Sequence, residues 1–188
     1  MAGLKSDGGS EDPPYTGFAP INNAPVDPAP HVYAALDALG IRYERYEHPP
    51  VFTAGEAAAH WAPLRATAIK NLFLRNKKGN RHYLVILEVS KAADLRQIVK
   101  LVEDDRLSFG SPERLMNELG LTPGSVSPFG LINDDDGSVR VLVDADLRGQ
   151  ERLIFHPNIN TASVVISWAD LEKFFASRRN RISVVEIA

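Results

Sequence analysis

The sequence predicts a single α+β domain built on a mixed β-sheet, and three observations support this fold class. Strand-like and helix-like segments are interleaved without the strict alternation that is typical of a doubly wound α/β fold. Two mostly apolar strand patterns, at residues 67–75 and 81–89, flank a five-residue basic turn and predict a β-hairpin. The 188 residues, of which 44% are hydrophobic and 24% charged, have the length and composition of about one globular domain.

A segment rich in proline and glycine precedes this domain. Residues 1–26 hold four prolines, four glycines and no apolar periodicity, so burial cannot offset the entropy that ordering would remove. We therefore expect a flexible extension over residues 1–26 and a single folded domain over residues 27–188.

The first elements of the domain are predicted from capping and turn residues. Asp27 followed by Pro28 is typical of a helix N-terminus, and Gly40 marks the end of that helix. Residues 41–47 alternate imperfectly and predict a strand. A Thr-Ala-Gly-Glu capping box at residues 53–56 predicts a short alanine-rich helix after it.

The second half of the domain contains both types of element. Apolar residues at three- and four-residue spacing predict a helix over residues 95–102, and Ser111 and Gly120 bound another helix. Two prolines and two glycines predict a loop over residues 121–130. Strands are expected over residues 139–143, 152–155, 161–167 and 182–187, and a helix over residues 170–176.

Composition and missing motifs exclude several functional classes. The absence of cysteine excludes a thiol nucleophile, a disulfide framework, a thiolate zinc site and an iron–sulfur cluster. No P-loop, dinucleotide-binding, serine-hydrolase or zinc-protease motif occurs. A formal net charge of −3 provides no global attraction to nucleic acid, so any phosphate contact must come from a local patch. No signal peptide or membrane-spanning segment is recognisable, and we expect a cytoplasmic protein.

Lys70 is the first candidate functional residue, because it interrupts the apolar strand pattern of residues 67–75. Burying an unpaired ammonium group is energetically expensive. The side chain therefore either extends to water at a sheet edge or projects into a cleft where it contacts an anion. Spacing alone leaves both alternatives open.

Two polar loops are further candidates. In the first, Gly124 permits close backbone approach while Ser125 and Ser127 add hydroxyl groups, so the loop either binds an oxyanion or is a structural turn. In the second, His156 and the polar residues Asn158, Asn160 and Thr161 lie between two apolar strands. This loop either has a structural role at the strand ends or forms a polar pocket wall.

These segments resemble the three signature blocks of the YbaK/prolyl-tRNA-synthetase-associated family. The blocks are Lys70–Leu74 (KNLFL), Gly124–Gly130 (GSVSPFG) and Phe155–Thr161 (FHPNINT), in the family's order and spacing. The similarity extends from about His31 to Ile187 and is greatest to the free-standing prolyl-tRNA editing proteins of the ProX (PrdX) type. It implies an α+β fold with a strongly twisted, barrel-like mixed sheet flanked by helices.

The resemblance also implies an enzyme that hydrolyses the ester bond of a mischarged tRNA. The expected substrate is alanyl-tRNA(Pro), deacylated in trans without a metal or other cofactor. A deacylase for another small aminoacyl-tRNA, such as cysteinyl-tRNA(Pro), and a non-catalytic tRNA-binding or synthetase-associated module are the alternatives. The expected partners are the acceptor end of tRNA(Pro) and, in addition, prolyl-tRNA synthetase.

The same resemblance assigns roles to individual residues. The catalytic residues are expected to be Lys70, which would anchor the tRNA 3′ end, with Gly124 and Ser125. The substrate-binding residues are expected to be Val126, Ser127, Phe129, His156, Asn158, Asn160 and Thr161. Separately, two basic clusters either contact tRNA phosphates or face solvent. They are Arg75, Lys77, Lys78 and Arg81 at the hairpin tip, and Arg178, Arg179 and Arg181 near the C-terminus.

Overall fold

The computed structural model describes residues 27–51 and 54–187, and the following account refers to these residues. The predicted extension over residues 1–26 and the first position of the predicted capping box, Thr53, lie outside them. Within the described part of the chain, no helix is long and apolar enough to cross a lipid bilayer.

Interleaved helices and strands confirm the predicted α+β class. The described residues form five α-helices: α1 (Ala29–Ala38), α2 (Ala54–Trp61), α3 (Leu95–Val102), α4 (Pro112–Leu119) and α5 (Trp168–Ala176). They also form eight strands: β1 (Glu44–Glu47), β2 (Thr67–Asn76), β3 (His82–Glu88), β4 (Leu107–Phe109), β5 (Arg140–Asp144), β6 (Leu153–Phe155), β7 (Ala162–Ile166) and β8 (Ile182–Val185). The sequence analysis missed β4 and three short 3-10 helices over residues 62–64, 128–133 and 145–147.

All eight strands belong to one mixed sheet. Its order is β1-β7-β6-β2-β3-β5-β8, and β4 pairs with β2 outside this path. β2 and β3 form the predicted antiparallel hairpin, whereas β3, β5 and β8 run parallel to one another. In these parallel ladders Tyr83 lies opposite Arg140, and Val141 lies opposite Ile182. Parallel pairing requires long crossover connections, which contain α3, α4 and α5.

The sheet is open, so the barrel-like closure that the resemblance implied is not found. Among the described strands, β1 pairs with β7 alone and β8 pairs with β5 alone. Glu44, Arg45 and Glu47 on β1 are exposed, and each takes part in an ion pair. Charged side chains on an edge strand disfavour further strand pairing, which explains why β1 remains at the edge.

The central strand β2 is unpaired along part of one edge. β6 pairs with Thr67 and Ala68 at the beginning of β2, and β4 pairs with residues 74–76 at its end. Both lie on the edge opposite β3. Between them, residues 69–72 have no strand partner on this edge in the part of the chain that the structure describes. The interruption leaves a gap in the sheet beside the middle of β2.

Both faces of the sheet are covered by apolar side chains. On one face, Phe129 is fully buried, and its ring meets those of Phe155 and Phe174 edge-to-face at centroid distances of 5.9 and 5.2 Å. On the other face, Ile98 of α3 packs in a second cluster with Tyr83 of β3. Burial on both faces explains why β3 is an almost continuous apolar run rather than an alternating one.

Phe129→Ala is expected to lower the free energy of unfolding by about 3–5 kcal/mol, because it removes a fully buried ring and leaves a cavity. Phe109→Ala is the matched control, since the Phe109 side chain is 63% exposed, and we expect a change within about 0.5 kcal/mol. Urea unfolding of the two variants measures the difference. A loss in Phe129→Ala as small as the one expected for Phe109→Ala would show that the Phe129 ring does not contribute to the core.

Candidate functional site

A pocket of about 180 Å³ lies beside the unpaired part of β2. Residues from five separate parts of the chain converge on it. Its lining residues are Val51, Ala57, Trp61, Ile69, Lys70, Asn71, Val89, Gly124, Val126 and His156. The structure therefore brings together one residue or more from each of the three polar segments that the sequence singled out.

Lys70 projects into this pocket, held by backbone dipoles. Its Nζ donates a hydrogen bond to the carbonyl oxygen of Val89, at 3.1 Å, and another to that of Lys91. Among the described residues, no carboxylate lies within ion-pair distance of this ammonium. Carbonyl oxygens orient the group without neutralising its charge, so the charge is available to an anion. Of the two alternatives for Lys70, the structure supports the cleft.

The turn that supplies these carbonyls is itself anchored by an ion pair. The Nζ of Lys91 lies 2.6 Å from Oδ2 of Asp144, which is fully buried at the end of β5, and 2.7 Å from Oδ2 of Asp146. Hydrogen bonding to these carboxylates, most strongly to Asp144, raises the pKa of Lys91. The sequence analysis missed this anchor, because only the parallel pairing of β3 with β5 brings the partners together.

Asn71 connects β2 to the glycine-serine loop across the gap in the sheet. Its Nδ2 donates to the carbonyl oxygen of Val126 at 3.1 Å. Its Oδ1 is buried and has no hydrogen-bond partner among the described residues. Asn71 lies inside the first signature block, but the sequence analysis assigned it no role. A polar residue next to Lys70 in an apolar strand was the available signal.

In the glycine-serine loop, Gly124 and Val126 line the pocket, and the two serines do not. The φ of Gly124 is +90°, a conformation that favours glycine over residues with a Cβ. The Ser125 hydroxyl donates to the carbonyl oxygen of Thr122 at 2.9 Å, and the buried Ser127 hydroxyl accepts from the N–H of Phe129 at 3.2 Å. Both hydroxyls therefore stabilise the loop, as in the structural-turn alternative. Neither serine is among the residues that line the pocket, and the roles expected for Ser125 and Ser127 toward a substrate stay a prediction.

His156 also lines the pocket, as a mostly buried imidazole. Its Nδ1 lies 3.0 Å from the carbonyl oxygen of Ala162, which can only accept, so Nδ1 carries the proton. In the neutral ring Nε2 is then a hydrogen-bond acceptor. Burial lowers the pKa of His156, against the opposing effect of the Ala162 carbonyl. The ring also contacts Trp61 at a centroid distance of 5.6 Å.

A second histidine beside the pocket, His48, was not predicted as a site residue. Its Nδ1 donates to the carbonyl oxygen of Pro49 at 2.8 Å, and Nε2 lies 2.9 Å from Oγ of Ser163. The same Oγ accepts from the indole N–H of Trp61 at 3.0 Å. In the neutral form of His48, Ser163 donates to Nε2, and every side-chain polar group of this network is satisfied. The network positions the Trp61 indole against His156.

The other predicted substrate-binding residues lie outside this pocket. Phe129 belongs to the core described above. Asn158, Asn160 and Thr161 line a separate, larger pocket of about 720 Å³, together with Ser125. The carbonyl oxygens of Asn160 and Thr161 accept from the backbone N–H groups of Val51 and His48, each at 3.0 Å. These two residues therefore fix the segment that forms one wall of the site.

The basic hairpin tip lies at the far end of β2 and β3 from the pocket. Lys77 and Lys78 are exposed there, while Arg75 donates to the carbonyl oxygens of Asn76 and Lys77. A strand of seven residues such as β3 spans about 23 Å at 3.3 Å per residue. The structure therefore does not place these cations at the pocket.

The polar groups of the pocket are suited to an anionic or carbonyl-containing ligand. The Lys70 ammonium and the exposed backbone of Gly124 can stabilise negative charge on oxygen, whereas Nε2 of His156 and Oδ1 of Asn71 can accept hydrogen bonds from a ligand. Within the described ranges, no group of three or more histidine, aspartate or glutamate side chains is arranged to hold a metal ion.

Comparison with known proteins identifies the family to which this arrangement belongs. Residues 48–174 match the model of the aminoacyl-tRNA editing domain. The chain belongs to this family. It is 40% identical over 162 residues to the prolyl-tRNA editing protein ProX of Acetoanaerobium sticklandii, a match that covers 86% of this chain and 99% of that relative. It is 34% identical to prolyl-tRNA synthetase associated domain-containing protein 1 of Bos taurus, covering 74% and 83% of the two chains.

A solved structure shares the fold. It is that of a protein proposed to be a trans-editing enzyme for prolyl-tRNA synthetase, and it superposes with a TM-score of 0.68 at 22% sequence identity. The match covers 91% of this chain and 98% of the other. The family match and the sequence relatives confirm the predicted resemblance, and this editing-domain protein is an aminoacyl-tRNA deacylase, a hydrolase.

His156→Gln is expected to reduce the loss of stability on acidification. Burial lowers the pKa of His156 in the folded protein from its ordinary value of 6.5. As the pH falls through 6.5, the unfolded chain binds a proton that the folded protein does not bind, so the free energy of unfolding decreases. The free energy of unfolding continues to decrease until the pH reaches the pKa of His156 in the folded protein. The variant lacks the imidazole and therefore lacks this decrease.

Urea unfolding of both proteins between pH 7.5 and 5 measures the effect as the difference between the two pH dependences. His31→Gln, a substitution on the exposed side of α1, is the control that should follow the wild type. Parallel curves for the wild type and His156→Gln would contradict the lowered pKa.

Proposed function

We propose that this deacylase removes alanine from mischarged tRNA(Pro) in trans. The observation that carries the proposal is the small pocket lined by both the unneutralised ammonium of Lys70 and the neutral imidazole of His156. Its volume of about 180 Å³ is below the range of about 300–1,000 Å³ that is usual for drug-sized ligands. The similarity to a prolyl-tRNA editing protein supports proline tRNA as the carrier.

The chemistry requires positioning more than a strong nucleophile, because an aminoacyl ester is already activated. Water attacks the ester carbonyl carbon, the bond to the ribose oxygen breaks, and that oxygen takes up a proton with assistance from the neighbouring ribose hydroxyl. The Lys70 ammonium anchors the 3′-terminal region of the tRNA and orients the ester, and the exposed backbone of Gly124 stabilises negative charge on the carbonyl oxygen. No cofactor takes part in this scheme.

His156 holds the substrate in this proposal and does not act as an obligatory base. Its neutral Nε2 is an acceptor that suits the α-ammonium group of an aminoacyl ester. Among the described residues, its Nδ1 contacts a backbone carbonyl and no carboxylate, so the ring lacks the acidic partner that orients and stabilises a typical catalytic histidine.

Selectivity limits explain why such an enzyme is needed. A synthetase pocket built for proline cannot strongly exclude the smaller alanine, since one methylene contributes only about 1–3 kcal/mol to discrimination. The pocket beside β2 provides a second selection step after the synthetase. The apolar side chains of Val51, Ile69 and Val126 bound it, so that it accepts a small side chain. Alanine and cysteine are close in size, so cysteinyl-tRNA(Pro) is the nearest competing substrate.

The remaining assignments follow from this function. We propose that residues 27–188 form one deacylase domain, that the acceptor end of tRNA(Pro) is its partner, and that it works in the cytoplasm, where tRNA is charged. Prolyl-tRNA synthetase is a further partner in this proposal, which the names of the synthetase-associated relatives support.

A deacylation panel tests the substrate. The purified protein is expected to hydrolyse alanyl-tRNA(Pro) at least about 10–200-fold faster than prolyl-tRNA(Pro), since this is the discrimination that a single methylene provides. Release of radiolabelled amino acid from alanyl-, cysteinyl- and prolyl-tRNA(Pro) measures this. Faster release of cysteine would reassign the amino acid, and no release from any of the three would favour a non-catalytic tRNA-binding module.

Lys70→Ala is expected to fold and to lose about 100–1,000-fold in kcat, the effect of removing one stabilising donor from an active site. Lys70→Arg should restore activity only in part, because a planar guanidinium does not replace a compact ammonium between two carbonyls. Lys100→Ala is the control, since Lys100 is exposed on α3. Wild-type rates in Lys70→Ala would refute the assignment.

A further inference from the structure

Three arginines lie together at the end of the sheet opposite the pocket. Arg140 is the first residue of β5, and Arg81 and Arg181 immediately precede β3 and β8. Because these three strands are parallel neighbours, their first residues meet at the same end of the sheet. We call Arg81, Arg140 and Arg181 the arginine row. The sequence analysis had placed Arg81 and Arg181 in separate clusters and had not considered Arg140.

The arginine row lies on one face of the sheet. Side chains alternate along a strand, so Arg81 shares a face with Tyr83, and in-register pairing places Tyr83 beside Arg140. All three arginines line a groove of about 290 Å³ between the strand ends and the C-terminal end of α3. Tyr83 and, at the end of α3, Leu101, Val102 and Glu103 also line this groove.

Two of the three positive charges are unpaired with any carboxylate of the described residues. Arg81 lies 3.4 Å from Asp104, but no described carboxylate is within 4 Å of the guanidinium groups of Arg140 or Arg181. These two residues are cross-strand neighbours, since the N–H of Val141 donates to the carbonyl oxygen of Arg181 at 2.9 Å. Like charges in such a position destabilise a sheet, and a bound anion would relieve the repulsion.

The same face of the sheet carries Lys70. Lys70 lies opposite Leu87 in the β2–β3 ladder, and Leu87 shares its face with Tyr83 and Arg81. Along β3, the six residues from Arg81 to Leu87 separate the row from the pocket by about 20 Å at 3.3 Å per residue. α3 packs over β3 between the two sites, so a nucleic acid strand that joins them passes around this helix and needs more than the roughly six steps of 3.4 Å that the straight line would take. A tRNA whose 3′ end occupies the pocket is long enough for this path.

We propose that the arginine row binds the ribose–phosphate backbone of the tRNA whose aminoacylated end occupies the pocket. This inference rests on the proposed function. Guanidinium groups spread over three adjacent strands suit successive phosphates better than a single small anion, and each can contact phosphate oxygens with two N–H groups. The row would also explain how a chain with net charge −3 attracts a polyanion, because the attraction is local.

The experiment measures the binding of uncharged tRNA(Pro) transcript as a function of salt concentration. The variant R140Q/R181Q should bind about 10–60-fold more weakly near 0.1 M salt, and its slope of log K against log salt should be smaller by about 2, since two fewer phosphates are neutralised. The matched control is R42Q/K173Q, which removes two exposed charges beside the end of α1 and should keep the wild-type slope. Thermal midpoints confirm that both variants are folded.

A short aminoacylated oligonucleotide, which cannot reach the arginine row, separates this inference from the proposed function. R140Q/R181Q should hydrolyse it at the wild-type rate while losing activity on full-length alanyl-tRNA(Pro). An unchanged affinity and salt slope in R140Q/R181Q, or an equal decrease in the control, would overturn the inference. If the wild type hydrolyses neither substrate but the salt slope still falls in R140Q/R181Q, the proposed function fails and the arginine row stands as an RNA contact.

Discussion

The interrupted pairing along one edge of β2 is the constraint on which the site depends. A strand in the middle of a sheet normally has both edges paired, because buried backbone groups require hydrogen-bond partners. In β2 the two short strands β6 and β4 share one edge and leave its middle open. The side chain of Asn71 holds the glycine loop there, and His156 follows β6 directly into the same space. The gap in the sheet is thus the place where three distant segments meet.

Much of the fold could be predicted because its signals are local. The β2–β3 hairpin, α3 and α4 depend on turn residues, periodicity and caps within about ten residues, and the structure confirms them. β4 was missed because three residues with an exposed Phe109 carry no strand pattern. The barrel-like closure was expected from resemblance, whereas the openness of the sheet depends on which strands fail to pair, and no local pattern encodes that.

The candidate site could be predicted in part, for a related reason. Lys70, Gly124 and His156 are polar residues or glycines in surroundings that do not favour them, and the structure brings all three to one pocket. A serine hydroxyl in a loop can either bind a ligand or stabilise the loop, and the sequence does not distinguish these two roles. In this loop the hydroxyls of Ser125 and Ser127 both form local hydrogen bonds. The pair Lys91–Asp144 and the network around Ser163 join residues more than 50 positions apart, so their roles became visible only with the strand order.

The charged edge strand β1 bears on how this protein behaves when it is concentrated. An open sheet offers unpaired backbone groups at its edge, to which a strand from a second copy could add. Any such addition would enclose Glu44, Arg45 and Glu47 and disrupt their ion pairs with Arg152 and with each other. The side chains that keep the sheet from closing on itself therefore also discourage neighbouring molecules from extending it into a fibre.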